Sequence, residues 1–141
     1  MRLIPLLFLL ALAIAACSKE QRTVNKLDGI WQMVGRRVNG VPDSTFSDMI
    51  ISFQRCNISG LNDCQGSIRR VYAGTAVVEE SDFKYNSTFG DDIDIDFDFD
   101  NPFFSDMSCD ILELDKSTLT FEYRDFDQSF DNVKLVFRRV E

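Results

Sequence analysis

Aspartates and cysteines are the residues of this chain with the clearest chemical potential, because its 141 residues include no histidine. Without imidazole the chain lacks Ser-His and Cys-His nucleophile pairs, histidine-ligated zinc and the side chain best suited to acid-base catalysis near neutral pH. Paired aspartates could serve a hydrolase, but no pair stands out among the 23 acidic residues. The sequence therefore predicts a protein that binds rather than catalyses, with no catalytic residues and no assigned metal site.

The first cysteine, Cys17, follows a short apolar leader. Residues 3–16 form an apolar run behind a single basic side chain, Arg2. A membrane span needs about 20 apolar residues, so this run is too short to cross and is typical of a cleaved secretory signal. Its end, residues 14–17 (IAAC), resembles a bacterial lipobox. The resemblance implies cleavage before Cys17 and a covalent lipid on its sulfur, whereas the alternative is an ordinary signal with Cys17 in a disulfide.

This reading divides the chain into a signal peptide (1–16), a lipidated cysteine with a polar tether (17–26) and one domain (27–141). Several acyl chains would hold the protein permanently in a membrane. The resemblance implies an outer-membrane lipoprotein of Gram-negative, Bacteroidetes-type bacteria. The charged residues after Cys17 faintly resemble surface-export signals, so both the periplasmic face and the cell surface remain open.

Negative charge is concentrated in one region of the chain. Removing residues 1–16 leaves 14 basic and 23 acidic residues, a net charge of −9. Residues 91–131 contain 14 of the acidic and 2 of the basic residues, which gives −12, so the remainder carries −9 minus −12, or +3. Phosphate backbones require a Lys/Arg-rich surface that no stretch supplies, and nucleic acid is excluded as an expected partner.

The composition of the domain predicts an all-β fold. After residue 16 the chain contains 10 Val, 8 Ile and 12 Phe but only 2 Ala and 6 Leu. Branched and aromatic side chains favour strands, whereas the best helix formers are scarce. Alternation of apolar and polar residues predicts eight or nine strands separated by turns. We place them near 30–38, 48–56, 66–72, 75–80, 82–89, 92–99, 109–114, 118–124 and 132–140.

Short turns between consecutive strands favour an antiparallel up-and-down barrel, which leaves no exposed sheet edge. Residues 27–31 (LDGIW) resemble the start of lipocalins, with Gly29 at a tight entry and Trp31 plugging the base of the barrel. Residues 111–121 resemble the closing hairpin of lipocalin-like domains on bacterial lipoproteins. The resemblance implies that Arg138 or Arg139 lies across Trp31, in a cation-π contact worth about 0.5 to 2 kcal/mol.

The lipocalin resemblance implies a small apolar or amphipathic ligand. An eight-stranded barrel is just wide enough to be filled by its own side chains or to hold one small molecule. The alternative is a side-chain-filled barrel that acts as an outer-membrane interaction module. Such a module would contact an envelope protein through residues 91–100 and the loops.

The remaining cysteines predict one disulfide and one free thiol. Cys56 and Cys64 are the closest pair and bracket a turn-rich stretch, so a bridge between them would staple a hairpin loop. That pairing leaves Cys109 free and buried. No pair has the short spacing of zinc knuckles.

The most acidic stretch, residues 91–100 (DDIDIDFDFD), has the period of a strand. One face carries four aspartates, Asp92, Asp94, Asp96 and Asp98. An EF-hand loop is excluded, because Phe97 stands where glycine is needed and Phe103 where a bidentate Glu is needed. Same-face carboxylates about 6.6 Å apart cannot easily share one ion. The aspartates form either a solvated face that protects a strand edge or a weak surface for cations or a cationic partner.

Three adjacent arginine pairs occur in predicted strands, Arg36-Arg37, Arg69-Arg70 and Arg138-Arg139. Neighbouring residues of a strand face opposite sides, so one arginine of each pair is expected to point inward. An inward arginine is costly unless it is paired or wet. These residues are therefore either structural partners of tyrosines and carboxylates or an anion-binding element in the barrel.

Overall fold

The computed structural model describes residues 19–44, 48–57, 64–72, 74–86, 92–97, 106–124 and 130–140. In these ranges the chain forms one helix and nine strands. They are α1 (Lys19–Leu27), β1 (Gly29–Val38), β2 (Val41–Pro42), β3 (Met49–Phe53), β4 (Cys64–Tyr72), β5 (Thr75–Asn86), β6 (Asp92–Phe97), β7 (Met107–Leu114), β8 (Thr118–Arg124) and β9 (Asn132–Arg139).

Eight of these strands close into an antiparallel barrel. From β3 to β9 each strand pairs with the next along the chain, β1 pairs with β3, and β1 also pairs with β9 to close the ring. The two-residue strand β2 lies outside the ring, on the edge of β1. The predicted all-β, up-and-down barrel is confirmed. We call the end of the barrel that carries α1 and residues 115–117 the base, and the opposite end, at Asn39-Gly40, the mouth.

The strand bounds follow the predicted alternation closely, with two differences. The strands expected at 75–80 and 82–89 are one continuous strand, β5, because Ser81 keeps the alternation and its side chain is buried. The short strand β2 has no sequence signal, because two residues cannot display a period. A hairpin joins β1 to β2 through Asn39 and Gly40, whose φ angles of 51° and 81° suit a tight turn.

The segment expected to be an irregular polar tether is instead helical, which corrects that part of the sequence interpretation. Within α1, Val24 and Leu27 are spaced by three residues, so they share one face of the helix, and both are buried in the core. A helix with only two buried apolar side chains in nine residues gives a weak periodic signal. The packed part of the domain therefore begins before residue 27.

Aromatic rings fill the barrel near the base. The ring centroids of Phe53 and Phe83 are 4.8 Å apart, and those of Phe121 and Phe137 are 5.6 Å apart, both edge to face. Such pairs contribute about 0.5–1.5 kcal/mol beyond the area that they bury. Gly66 lies directly beneath Phe83, and a Cβ at this position would come 2.7 Å from the carbonyl oxygen of Ser52. Only glycine fits here without a shift of the backbone.

A β-bulge in β1 decides which arginine enters the barrel. The β1–β9 register shifts between Met33 and Gly35, and the intervening Val34 is exposed. A bulge reverses the alternation beyond it. Arg36 therefore lies opposite the buried Leu135 and faces inward.

Candidate binding site

Trp31 and Arg139 close the base of the barrel. The indole of Trp31 is fully buried, and its Nε1 donates a hydrogen bond to the carbonyl oxygen of Leu27 at 2.7 Å. The guanidinium carbon of Arg139 lies 4.3 Å from the centroid of that indole. Arg138 lies opposite Gln32 and is exposed, so Arg139 is the arginine that covers the tryptophan.

The guanidinium of Arg139 is bound almost entirely to backbone carbonyls. Its Nε donates to the carbonyl of Lys116 at 3.0 Å, and its two Nη atoms donate to the carbonyls of Asp28 and Lys26. Gly29, which connects α1 to β1, has a φ of 130°, a conformation that favours glycine. Through these contacts, Trp31 and Arg139 connect α1, the turn at 115–117 and β9.

The predicted disulfide between Cys56 and Cys64 is present, with a Cα–Cα distance of 5.5 Å. It lies on the same side as α1, because Gln21 Nε2 donates a hydrogen bond to the carbonyl of Cys56 at 2.8 Å. Bridging such a short loop contributes roughly 2.5 kcal/mol on chain-entropy arguments. The disulfide thereby joins the segment after β3 to the start of β4, and the Gln21 hydrogen bond connects this segment to α1.

Arginines also line the interior towards the mouth. Arg70 lies opposite Met49, which is 2% exposed, so its side chain faces inward. Its Nη2 lies 3.9 Å from the sulfur of Met107. Burial lowers the pKa of Arg70, and the nearby Arg36 lowers the pKa further, whereas Tyr123 and Cys109 raise it. Desolvation is the largest of these effects, so the charge of Arg70 is held in a poorly solvated environment.

The other polar groups of this region are carboxylates. Arg36 forms an ion pair with Asp43, and both side chains are mostly buried. Glu79 lies opposite the buried Ile68 and thus on the inner face of β5. The sequence analysis did not identify Glu79 as an inward-facing residue. The alternation that runs back from Phe83 through Ser81 does place Glu79 on the inner face. The polar region of the interior therefore combines guanidinium donors with carboxylates and a phenol.

Cys109 is a buried free thiol, as predicted. Burial is the main cause that raises its pKa to about 12, and the neighbouring Asp94 and Asp110 raise the pKa as well. The thiolate is the reactive form. Cys109 therefore stays protonated at neutral pH and has the character of a core residue.

The acidic strand lies on the barrel wall with its aspartates outward. Ile93 and Ile95 are buried, whereas Asp92, Asp94 and Asp96 are partly exposed. Asp98 lies outside the described residues. On the neighbouring strand β5, Lys84 Nζ lies 3.7 Å from Oδ2 of Asp96.

Neighbouring strands add further negative charge to this wall. The register places Asp82 opposite Asp96, Asp92 opposite Asp110, and Asp110 opposite Glu122. Like charges directly opposite each other destabilise a sheet. Even so, no group of three or more Cys, Asp or Glu residues in the described ranges is arranged to hold a metal ion.

The sequence-predicted lipidation site, Cys17, lies outside the described residues. In the part of the chain that the structure covers, no helix has the length and apolarity needed to cross a membrane.

Comparison with known proteins identifies the fold. No protein-family model matches the chain, and no curated protein matches it significantly. Among solved structures it is similar to Ex-FABP, a siderocalin described as functioning through dual ligand specificities. The identity is 15%, the match covers 81% of this chain and 74% of that one, and the TM-score is 0.55. The chain has a lipocalin-like fold.

A redesigned β-barrel is similar to the same degree. It is 14% identical, the match covers 85% of this chain and 96% of the designed one, and the TM-score is 0.56. At such identities the likeness extends to the fold alone. The lipocalin-like barrel of this chain therefore carries its own set of interior residues.

Proposed function

We propose that the protein is a lipid-anchored lipoprotein of the cell envelope whose lipocalin-like barrel binds one small amphipathic molecule. The observation that carries the ligand proposal is Arg70, an inward-facing arginine whose pKa is lowered by burial. A lipocalin-like barrel is consistent with ligand binding, and the interior of this one indicates the chemistry of the ligand.

A buried guanidinium favours a ligand head group that accepts hydrogen bonds, because a guanidinium only donates them. Arg36 adds a second set of donors near Arg70. We therefore infer an anionic head group, such as a carboxylate, whose oxygens accept hydrogen bonds from the guanidinium groups of Arg70 and Arg36.

The apolar part of the ligand would contact the side chains around the arginine. Met49 lies opposite Arg70 in the register, and the sulfur of Met107 lies against its guanidinium. Methionine adapts well to irregular apolar shapes. Because aromatic rings pack the base, the ligand would enter from the mouth and stay shallow.

Two adjacent residues of β4 provide a matched test of the head-group contact. Arg70→Met removes the inward guanidinium, whereas Arg69→Met removes its exposed neighbour. Dodecanoate and dodecanol are suitable probes, since they differ only in the head group. We expect Arg70→Met to weaken dodecanoate binding by about tenfold or more, because a hydrogen bond to a charged group is worth about 1.5–3 kcal/mol.

The expected pattern includes two controls. Dodecanol binding should change little in Arg70→Met, and Arg69→Met should bind both probes as the wild type does. Native mass spectrometry of the protein purified from its envelope tests for a natural ligand. A protein that binds neither probe and carries no retained small molecule would contradict the ligand proposal.

The anchor is supported by the lipobox resemblance at residues 14–17. Cys17→Ala should release the protein from membranes, because no thioether-linked lipid can form. Full membrane retention of the variant would contradict the anchor proposal. Protease treatment of intact cells would then distinguish the cell surface from the periplasmic face of the outer membrane.

The acidic side chains of β5 to β8, which we call the acidic wall, favour a second candidate function, an interaction module for a cationic envelope partner. They are Asp82, Asp92, Asp94, Asp96, Asp110 and Glu122. The specific support for this function is the set of directly opposed like charges, such as Asp92 with Asp110, because such pairs cost stability. Zero-length carbodiimide cross-linking in cells should then capture a partner at low salt and lose it at high salt. Capture that is unchanged by Asp110→Asn and by salt would exclude this candidate.

A further inference from the structure

The outer face of α1 is basic and polar. Arg22, Asn25 and Lys26 are exposed, whereas Val24 and Leu27 on the opposite face are buried in the core. In an α-helix, positions four residues apart share a face, so Arg22 and Lys26 form one basic stripe. That stripe points away from the barrel, at its base.

Further basic side chains surround the end of the helix. The guanidinium of Arg139 donates to the carbonyls of both Lys26 and Lys116, which places these two exposed lysines on either side of it. Arg138, the neighbour of Arg139, is exposed as well. Val140, 55% exposed, donates its backbone N–H to the carbonyl of Ile30, 37% exposed, and adds a small apolar element.

Carboxylates lie near these cations as well. The acidic groups of α1 and the adjoining turns are Glu20 and Asp28, which are partly buried, and Asp115. Asp115 Oδ1 accepts hydrogen bonds from the backbone N–H groups of Ser117 and Thr118 at 2.7 Å each. The basic groups around α1 are thus Arg22, Lys26, Lys116, Arg138 and Arg139. Asp92 and Glu113, at the base ends of β6 and β7, add carboxylates on the neighbouring wall.

The base is also the part of the domain closest to the proposed anchor. Cys17 precedes the first residue of α1, Lys19, by only two positions. Two residues of extended chain span at most about 7 Å. A lipid on Cys17 would therefore hold the first residue of α1 close to the head groups.

We propose that the basic base, formed by α1, Lys116 and Arg138, is a membrane-facing surface that contacts anionic phospholipid head groups. The inference rests on the proposed lipid anchor at Cys17. Basic residues beside a membrane are attracted to anionic lipids within about one Debye length. This orientation brings the basic stripe of α1 and the proposed anchor to the same membrane surface. The barrel mouth then points away from the membrane, and a ligand enters from the aqueous side.

Lysine labelling of the acylated protein tests this orientation. The mature protein, purified with its lipid, is placed in vesicles of phosphatidylcholine alone or with about one third phosphatidylglycerol, and is treated with a water-soluble amine-acetylating reagent. We expect Lys26 and Lys116 to be labelled at least about threefold more slowly in the anionic vesicles. The protection should disappear in 1 M salt, where the Debye length is about 3 Å.

A lysine near the mouth serves as an internal control. Lys134 should be labelled equally in both kinds of vesicle, because it lies opposite Arg37, at the end of the barrel away from α1. Equal labelling of Lys26, Lys116 and Lys134 in both vesicles, in a protein whose intact mass includes the lipid, would overturn the membrane-facing surface. A purified protein without the lipid mass would instead contradict the anchor proposal, so the two failures are distinguishable.

Two double variants distinguish an effect of the basic stripe on α1 from an effect of the net charge of the protein. Arg22→Glu/Lys26→Glu reverses two exposed residues of α1, whereas Arg37→Glu/Arg124→Glu reverses two exposed residues near the mouth. The α1 variant should lose the protection of Lys116 in anionic vesicles, and the mouth variant should keep it. Protection of Lys116 that survives in both variants would also overturn the inference.

Discussion

At the base, Arg139 lies on the face of Trp31 and donates hydrogen bonds to three backbone carbonyls. Towards the mouth, Arg70 lies against a methionine sulfur, and burial lowers its pKa. Both arginines come from adjacent pairs in strands, and both face inward. The first has a fixed set of neutral partners that hold it as a structural element, whereas the second keeps a charge in a poorly solvated interior. We therefore expect Arg139 to contribute mainly to stability and Arg70 mainly to ligand binding.

The largest expected effect is at the base. Trp31→Ala removes the fully buried indole and should lower the free energy of unfolding by about 3–5 kcal/mol, because a large cavity opens and the contact with Arg139 is lost. Urea unfolding followed by circular dichroism measures this loss. A loss below about 1 kcal/mol would show that α1 and β9 close the base without the tryptophan.

The arginine above the tryptophan gives the next largest effect. Arg139→Met should cost about 2 kcal/mol, because it removes the cation-π contact and leaves backbone carbonyls without donors. Arg138→Met is the matched control and should change stability by less than about 0.5 kcal/mol, since Arg138 is exposed. Equal losses in the two variants would contradict a special role for Arg139.

The dependence of stability on alkaline pH tests whether the Cys109 thiol is shielded from solvent. Its pKa is raised by burial to about 12, so on unfolding above pH 9 the thiol releases a proton that the folded state retains. Stability contributed by this group is fully present below pH 9 and is lost as the pH rises from about 9 towards 12. Relative to Cys109→Ala, the wild type should lose about 1 kcal/mol between pH 9 and 10. Parallel curves for the two proteins would indicate a solvated thiol.

Arg70 should respond differently from Arg139. Burial is the largest influence on the pKa of Arg70 and disfavours its charged form, and Arg70→Met removes that desolvation cost. We expect a change within about 1 kcal/mol of the wild type in thermal or urea unfolding without ligand, while dodecanoate binding weakens. A loss as large as that of Arg139→Met would make Arg70 a structural residue and remove the contrast between the two ends.

The smallest effect is on the acidic wall. Asp110→Asn should stabilise the domain by a few tenths of a kcal/mol at low salt, because Asp110 faces both Asp92 and Glu122. The gain should shrink as salt is added. Glu80→Gln is the control, since Glu80 is exposed opposite Ser67. A gain that is equal in both variants would reflect net charge rather than the opposed pairs.

The sequence contains most of the information about the strands and the base. Alternation from Thr118 to Arg124 gives the bounds of β8 as observed, because both faces of that strand are clearly marked. The tryptophan and the terminal arginines identify the base before any geometry is known. The pairing of Cys56 with Cys64 follows from their short separation.

The interior near the mouth was only partly predictable. Alternation requires one inward arginine in each pair, but the bulge at Val34 selects Arg36 over Arg37, and valine gives no signal of a bulge. The proximity of Arg70 to Arg36 and Tyr123 depends on the stagger of strands around the ring. No local pattern encodes that stagger. The helix α1 was missed because its two buried residues, Val24 and Leu27, are too few to reveal a period.

The pairing of β1 with β9 has a consequence for how the domain reaches its folded state. Trp31 and Arg139, which are neighbours in the closed ring, lie more than a hundred residues apart in the chain. A closure between such distant segments is slow, because chain entropy must be lost before the contact forms. During synthesis, one edge of β1 stays unpaired until β9 has been made and can pair with it. Unfinished chains are therefore the stage at which this protein is most exposed to aggregation and to proteases.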